Sequence, residues 1–251
     1  MKNILLRVAY DGTRFRGFQG QPEERTVQGE LRRAVDKLLG RPTRLIAAGR
    51  TDTGVHAEEQ WVNFLSASPI APKGIAHHLK PLLPEDLLAL SSEEVPLSFH
   101  ARFSSGKKVY RYVLSLDQPL LPVYRHYKAS CAYPLDVGAM RRVLPLFLGR
   151  HDFSAFSRQD PLRQPIRDVS QFTMEQSGND LVFHIAGESF LHNQIRIIIG
   201  ALVEVGRGRL TEARIARLLE EGAAQPAAPT YPACGLTLER IFLKSESAAQ
   251  E

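Results

Sequence analysis

Residues 49–57 carry the groups with the clearest capacity for chemistry, and they read Gly-Arg-Thr-Asp-Thr-Gly-Val-His-Ala. Asp52 is the only carboxylate there, with Arg50 two residues before it and His56 four residues after it. Alternating apolar runs flank the segment on both sides, which predicts a loop between two strands. Two glycines around polar residues suit a loop that bends sharply and brings its backbone close to a ligand. A purely structural turn is the alternative, but the Arg-Thr-Asp-Thr core favours a loop that positions a reactive carboxylate.

Arg196 is the second candidate, because it lies in an apolar stretch that predicts a buried helix over residues 189–205. A guanidinium inside such a helix needs an acidic partner, since an unpaired buried charge is costly. One interpretation is a structural salt bridge to Glu188 or Glu204. The other is a contact with Asp52 across a cleft, which would lower the carboxylate pKa and keep it ionised and nucleophilic.

Two tyrosines form a third candidate group. The alternation of a predicted strand over residues 109–116 turns Tyr110 and Tyr112 to one side, together with Lys108 just before the strand. Paired tyrosines beside a cation are typical of a surface that stacks nucleic-acid bases. The alternative is that both are half-buried sheet residues.

Metal-dependent and hydrolytic chemistry find little support in the sequence. His56, His100 and His151 show no His-x3-His or Cys/His spacing, and no serine lies in a Gly-x-Ser-x-Gly turn. Cys131 and Cys234 give neither a disulfide framework nor a metal-ligand spacing. We therefore expect no metal, and we expect the three histidines to be structural.

The order of predicted elements is β-α-β-β-α-β, and it is followed by a second set of similar architecture without sequence repetition. This predicts an α+β fold with two ferredoxin-like halves, whose antiparallel sheets form a central cleft. The predicted domains are residues 1–100, with the Asp52 loop, and 101–244, with Tyr110 and Arg196; residues 245–251 are predicted to be a disordered tail. In the first half, the predicted strands are 3–10, 44–48, 60–65 and 87–95, and the predicted helices are 26–39 and 72–82. In the second half, strand 109–116 and helix 136–148 come first. A hairpin of strands 167–175 and 181–186, helices 189–205 and 211–221, and strand 235–242 follow.

Composition sets limits on the class of protein. The chain has 251 residues, 43% of them hydrophobic and 24% charged, as in globular proteins. Its net charge of +5 permits an anionic partner, and its basic residues collect near the predicted loops, which favours a nucleic-acid-binding face. No apolar run is long enough to span a bilayer, and the chain enters a strand at once. We expect a cytoplasmic protein without a signal peptide and without a membrane partner.

Four segments together resemble the tRNA pseudouridine synthase A family, so the resemblance covers most of the chain. Residues 49–57 are similar to that family's Gly-Arg-Thr-Asp-x-Gly-Val-His-Ala signature over nearly all nine positions. The other three are similar to family segments with some departures. Residues 10–19 resemble Tyr-Asp-Gly…Gly-Trp-Gln with Phe18 for Trp, and residues 108–112 resemble Arg-x-Tyr-x-Tyr with Lys108 for Arg. Residues 190–196 resemble Phe-Leu-x-x-Met-Val-Arg, with Gln194 for Met.

The resemblance implies a set of roles. Asp52 would be the catalytic nucleophile, Arg196 its counter-ion, Tyr110 the residue that stacks on the target base, Arg50 the residue that fills the gap left by a flipped base, and Leu236 part of the uracil pocket. It implies isomerisation of uridine to pseudouridine at positions 38 to 40 of the tRNA anticodon arm, by a homodimer without cofactor. Attack at C1′ and attack at ring C6 both remain open.

Two other classes of protein remain as alternatives. Paired ferredoxin-like halves also build non-catalytic RNA-binding proteins, although the sequence lacks the RNP1 pattern of an RNA recognition motif and such a protein would not need Asp52. A phosphoesterase that uses His151 and Asp152 is the other alternative, but no metal ligands accompany that pair in the sequence.

Overall fold

The computed structural model describes residues 1–158 and 164–244. The predicted tail, 245–251, lies outside the described residues. The chain forms two compact units. The first unit is Met1–Lys107 together with the chain from Thr237 onward, and the second unit is Lys108–Leu236.

The first unit is a mixed sheet with helices. Its strand β1 (Lys2–Tyr10) lies between β4 (Leu87–Val95) and β3 (His56–Ser66) and is antiparallel to both. Strand β2 (Ile46–Ala47) pairs with β3 as well, antiparallel. The remaining elements of this unit are helices α1 (Val27–Leu39), α2 (Ile75–Leu79) and α3 (Ala101–Ser104), and the final strand β10 (Leu236–Leu243), which pairs with β3 in parallel.

Local signals in the sequence account for most of this unit. Thr26 caps α1 by accepting a hydrogen bond from the Gly29 amide at 3.2 Å, and Gly40 ends the helix in the left-handed conformation with φ 67°. Val27, Leu31 and Val35 of α1 are buried, and Ile4, Leu6 and Val8 of β1 are also fully buried. The predicted limits of β4 are confirmed residue for residue.

The second unit contains an antiparallel sheet in the order β5-β9-β8-β7. Its strands are β5 (Ser105–Ser115), which begins in the last residues of the first unit, β7 (Gly149–Asp152), β8 (Ile166–Ser177) and β9 (Asp180–Gly187). The short strand β6 (Ala129–Ser130) runs parallel to the end of β5. Helices α4 (Val137–Val143), α5 (Gln194–Gly206) and α6 (Glu212–Glu221) complete the unit.

Pro145 shortens α4, which was predicted to reach residue 148. The regular helix ends at Val143, and Leu144–Phe147 continue as a 3₁₀ turn, because proline lacks the amide donor that the next helical turn requires. The predicted hairpin of β8 and β9 is also confirmed, with a turn at Gly178 and Asn179.

The start of α5 was predicted wrongly. The helix begins at Gln194 and not at residue 189, because Asn193 adopts a left-handed backbone with φ 59° and interrupts the helical path. Arg196 therefore lies in the first turn of α5, not in its middle. The other residues of the helix are buried except Glu204, as the isoleucines predict.

Other limits also differ from prediction. The second strand has two residues where five were predicted, and β3 begins at His56, four residues early, because Tyr10 of β1 still offers a pairing partner to Ala57. The boundary between the compact units falls after Lys107 and not after residue 100. The final strand, predicted in the second half, belongs to the first unit, where Thr237 and Leu238 pair with the start of β3. Across residues 1–158 and 164–244, no helix has the length and apolarity needed to cross a membrane.

Candidate active site

We define the Asp52 loop as residues 49–55, between β2 and β3. Its first residue, Gly49, is hydrogen-bonded to the buried side-chain amide of Gln60. The Gly49 amide donates to Oε1 of Gln60, and Nε2 of Gln60 donates back to the Gly49 carbonyl, both at 3.2 Å. Gln60 is fully buried, so these bonds are shielded from competing water. The two bonds fix the point at which the chain leaves the sheet.

A second loop, residues 11–25, holds the Asp52 loop along its length. The Phe18 amide donates to the Thr51 carbonyl at 3.0 Å, and the Gly54 amide donates to the Phe15 carbonyl at 3.3 Å. Gly17 has φ 84°, and a Cβ atom there would lie 3.0 Å from the Thr51 oxygen. The Asp52 loop is therefore held by backbone contacts on the side that faces residues 11–25.

Gly12 permits the closest of these approaches. A Cβ atom on Gly12 would lie 2.1 Å from the carbonyl oxygen of Val55, a distance that excludes any side chain. The Gly12 amide donates to Nδ1 of His56 at 3.0 Å. The same nitrogen lies 3.2 Å from Oδ1 of Asp11. His56 is thus buried and hydrogen-bonded to the second loop.

Tyr10 supports the same loop from the sheet. Its hydroxyl hydrogen-bonds Oγ1 of Thr51 at 2.8 Å, next to Asp52 in the chain. Burial raises the pKa of Tyr10 above its usual range, although the bond to Thr51 opposes this shift. The phenol therefore stays neutral and acts as a fixed hydrogen-bonding group under the loop.

An ion pair anchors the second loop to the start of β4. Arg25 donates two hydrogen bonds of 2.8 Å to the carboxylate of Asp86, and its guanidinium lies 4.3 Å above the ring of Phe15. The Asp11 amide donates to the Asp86 carbonyl at 3.1 Å. The hydrogen bonds from Arg25 lower the pKa of Asp86. No local pattern in the sequence points to this pair, since its members are 61 positions apart.

Asp52 and Arg50 share this supported loop. Asp52 is half-buried, and its carbonyl accepts from the Val55 amide at 3.1 Å, which closes a turn that Gly54 completes with φ 78°. Arg50 is exposed. The structure thus places a carboxylate and a guanidinium, two residues apart, on a loop with fixed backbone.

Arg196, in the second unit, is half-buried and held by two neutral oxygens. Its Nε donates to the Tyr231 carbonyl at 2.7 Å, and its Nη1 donates to Oδ1 of Asn193 at 2.8 Å. Glu204, one of the two structural partners considered for it, pairs with Arg207 at 2.7 Å. Sequence reasoning missed both Asn193 and Tyr231 as neighbours of this guanidinium.

The two tyrosines of β5 do not form an open stacking surface. Tyr112 is fully buried, and its hydroxyl donates to the Pro232 carbonyl at 2.8 Å, so the interpretation as a sheet residue is right for it. Tyr110 is 8% exposed and packs edge-on against Phe190, with ring centroids 5.4 Å apart. Lys108 donates to the Glu188 carbonyl at 2.9 Å. Strand alternation predicted the shared face correctly but not that Tyr112 is covered.

The remaining predicted residues are packed into the fold. Leu236 is buried at the start of β10. The His100 ring stacks on Phe103 with centroids 4.4 Å apart, and Nε2 of His151 hydrogen-bonds the Leu148 carbonyl at 2.7 Å. Within the described part of the chain, no group of histidine, cysteine and acidic side chains is arranged to hold a metal ion.

A family model described as tRNA pseudouridine synthase matches residues 7–104 and 144–242. The chain belongs to this family, and the enzymes of the family are isomerases. The first matched stretch includes Asp52 and Arg50, and the second includes Arg196 and Leu236. Tyr110 lies between the two stretches.

Relatives named tRNA pseudouridine synthase A match over almost the whole chain. The protein of Halalkalibacterium halodurans is 40% identical over 94% of this chain and 90% of its own. The proteins of Acetivibrio thermocellus and Brevibacillus brevis are 37% and 39% identical, each over 96% of this chain and over 100% and 99% of their own. Among solved structures, a Cbf5-Nop10-Gar1 complex matches with a TM-score of 0.36 and 12% identity, over 93% of this chain and 57% of that one.

Proposed function

We propose that this protein converts uridine to pseudouridine at positions 38 to 40 of the tRNA anticodon arm, with Asp52 as the nucleophile. The observation that supports it most is the Asp52 loop, which Gln60 holds at its base and residues 11–25 hold along its side. A fixed backbone of this kind holds a reacting carboxylate in place before the substrate arrives. Membership of the tRNA pseudouridine synthase family supports the reaction class and tRNA as the substrate.

The reaction can be written with Asp52 attacking either C1′ of the ribose or C6 of the ring. In both cases the N1–C1′ bond breaks, the uracil turns, and a C5–C1′ bond forms. On the C1′ route the Asp52 carboxylate leaves C1′ as this bond forms, and on the C6 route it leaves C6 afterwards. On both routes the proton on C5 is then released. A uridine in a stem must first be extruded from its stack, because the carboxylate has no access to it inside the helix.

The other site residues have proposed roles that rest on family resemblance. Arg196 is the counter-ion that keeps Asp52 ionised, Tyr110 stacks on the extruded base, Leu236 lines the uracil pocket, and Arg50 fills the vacated space in the RNA. Arg50 is exposed on the Asp52 loop, which suits a residue that contacts RNA. We expect the protein to act as a cytoplasmic homodimer without cofactor.

The strand order supports two ferredoxin-like halves as the finer description of the fold. In the first unit, the chain order β-α-β-β-α-β combines with antiparallel pairing of β4 with β1, β1 with β3, and β3 with β2. In the second unit, β5, β9 and β8 are neighbours in an antiparallel sheet, and α4 and α5 occupy the corresponding places in the chain order.

Two alternatives make different predictions. A non-catalytic RNA-binding protein would bind tRNA without changing it, and the buried hydrogen bonds around the Asp52 loop would then hold only an RNA contact. The phosphoesterase alternative would use His151 and Asp152. Asp152 accepts a hydrogen bond from the Ser154 amide at 2.8 Å, and His151 is hydrogen-bonded to the Leu148 carbonyl, so both side chains have structural roles.

Release of tritium from tRNA labelled at C5 of uridine, in metal-free buffer, tests the proposal. The wild-type protein should release tritium, and Asp52→Asn should release none, because a carboxamide cannot act as the attacking group. Binding to tRNA should change little, since cationic contacts with phosphates supply most of the affinity. Asp168→Asn, which changes an exposed carboxylate on β8, is the matched control and should be fully active.

The outcomes separate the three classes. Binding without tritium release by the wild type would identify an RNA-binding protein. Cleavage of the tRNA without tritium release would identify a phosphoesterase. Turnover of Asp52→Asn within about tenfold of the wild type, or about 1.4 kcal/mol in activation free energy, would refute the assignment of the nucleophile.

A further inference from the structure

Residues 222–232 connect α6 to the approach of β10, and we call this segment the strap. Its beginning is tied to the loop after β7. The Ala223 amide donates to Oγ of Ser154 at 3.1 Å, and the Ala227 amide donates to the Ala155 carbonyl at 2.7 Å. A Cβ atom on Gly222 would lie 2.4 Å from Oγ of Ser154, so the first residue of the strap sits directly on this serine.

The middle of the strap touches the backbone of α5. A Cβ atom on Gly200, a buried residue of that helix, would lie 2.0 Å from the carbonyl oxygen of Pro229. Only glycine allows this contact. The strap is therefore seated against the same helix that carries Arg196, one turn further along.

The end of the strap supplies two carbonyl groups in succession. The Tyr231 carbonyl accepts from Nε of Arg196 at 2.7 Å, while the Tyr231 amide donates to the Arg196 carbonyl at 3.2 Å. The next carbonyl, that of Pro232, accepts from the hydroxyl of Tyr112 at 2.8 Å. Tyr112 is fully buried, so a fixed side chain of the sheet holds the strap where it meets Arg196.

From this arrangement we infer that the strap positions the Arg196 guanidinium, and that Tyr112 and Asn193 are positioning residues that act through Arg196. The inference rests on the proposed function, in which Arg196 takes part in the isomerisation. An arginine side chain has several rotatable bonds, and fixing its direction before the substrate arrives removes an entropic cost from the reaction. Two acceptors on different atoms, Nε and Nη1, define the plane of the guanidinium as well as its direction.

The chemistry of the two acceptors matters as much as their geometry. The Tyr231 carbonyl and the Asn193 amide oxygen are neutral, so they orient the guanidinium without cancelling its charge. A carboxylate in either place would satisfy the same hydrogen bond but would compete with an anionic partner for the positive charge. Asn193 is also suited to its backbone, because asparagine tolerates the left-handed conformation better than most residues.

Tyr112→Phe in the intact protein tests the strap. Loss of the hydroxyl removes the bond to Pro232, so we expect faster amide hydrogen exchange in residues 222–232 and a single-turnover rate about tenfold lower. The KM for tRNA should not change. Tyr133→Phe is the matched control, because Tyr133 is an exposed tyrosine of the same unit, and it should alter neither quantity.

A double-mutant cycle shows whether Tyr112 acts through Arg196. The Arg196→Lys background keeps a cation but has no Nε to donate to the Tyr231 carbonyl. In that background, Tyr112→Phe should cause almost no further loss of rate. An equal loss in both backgrounds would overturn the inference, as would unchanged hydrogen exchange of the strap. If Arg196→Lys were as active as the wild type, the proposed role of Arg196 would fail, whatever the strap does.

Asn193→Asp tests the requirement for neutral acceptors. Aspartate keeps the size, the acceptor oxygen and the backbone tolerance, but it adds a negative charge beside Arg196. We expect the fold to be retained and the rate of tritium release at neutral pH to fall by about tenfold or more. A rate that matches the wild type at neutral pH would show that charge is irrelevant at this position and would overturn this part of the inference.

Discussion

Gly17→Ala is expected to separate the stability of the fold from the placement of Asp52. Gly17 has φ 84°, and a Cβ atom would lie 3.0 Å from the Thr51 oxygen that accepts from the Phe18 amide. Gly40 provides the matched control, because it has φ 67° but nothing within 4 Å of a Cβ atom. Both changes place alanine in a left-handed conformation, at a cost of roughly 1–2 kcal/mol.

The two variants should differ in their other contributions to stability and in their reaction rates. At Gly40 the conformational cost is the whole effect. At Gly17 the new methyl group also displaces Thr51, and the weakened hydrogen bond adds about 1 kcal/mol, for a total of roughly 2–3 kcal/mol. The displacement reaches Asp52, the next residue. A shift of about 1 Å in a reacting group costs on the order of 100-fold in rate, so we expect Gly17→Ala to be 10- to 100-fold slower.

Urea unfolding followed by circular dichroism gives the two stability changes. Single-turnover tritium release, measured where each variant is fully folded, gives the rates. We expect Gly40→Ala to lose stability but no activity, and Gly17→Ala to lose both. A Gly17→Ala protein with the stability of Gly40→Ala and the rate of the wild type would show that the contact between the two loops does not position Asp52.

Three other expectations concern single residues. Arg25 lowers the pKa of Asp86, so the stabilisation by this pair is complete above the unfolded pKa of about 4 and is lost as the pH falls through the lower folded pKa. In urea titrations from pH 7 to pH 3, the difference in unfolding free energy between wild type and Asp86→Asn should therefore shrink. A constant difference would contradict the pairing. Thr26→Ala removes the acceptor for the Gly29 amide and should cost about 1 kcal/mol in the same assay, whereas Thr26→Ser should cost little. Arg50→Ala should slow modification at stem positions 39 and 40 more than at loop position 38, because extruding a paired base costs more; equal losses at all three positions, measured by site-resolved single-turnover rates, would refute the gap-filling role.

The sequence predicted best those features that depend on neighbouring residues. Helix α1 has its capping residue, Thr26, and its terminal glycine, Gly40, in one continuous stretch, and both act at the ends of the helix. The start of α5 was missed because apolar periodicity does not report a left-handed backbone, and Asn193 adopts one. Strand alternation likewise shows which residues share a face, but not that the strap covers the face that bears Tyr112.

In the candidate site, too, the sequence predicted the local features and not the tertiary contacts. The Asp52 loop was identified from its residue types and from its place between two strands. The groups that hold it were not identified, because Gly12 meets Val55 and Arg25 meets Asp86 only after the chain has folded. The need for glycine at position 12 comes from a carbonyl 43 residues away, and no local pattern records such a contact.

The path of β10 has a consequence for biosynthesis. This strand pairs with His56 and Ala57, directly after the Asp52 loop, yet the ribosome makes it only after the whole of the second unit. At typical bacterial and eukaryotic elongation rates, the delay is on the order of ten seconds. During that interval the start of β3, at His56 and Ala57, lacks its β10 partner, and a polypeptide released early would lack the strand beside its candidate nucleophile.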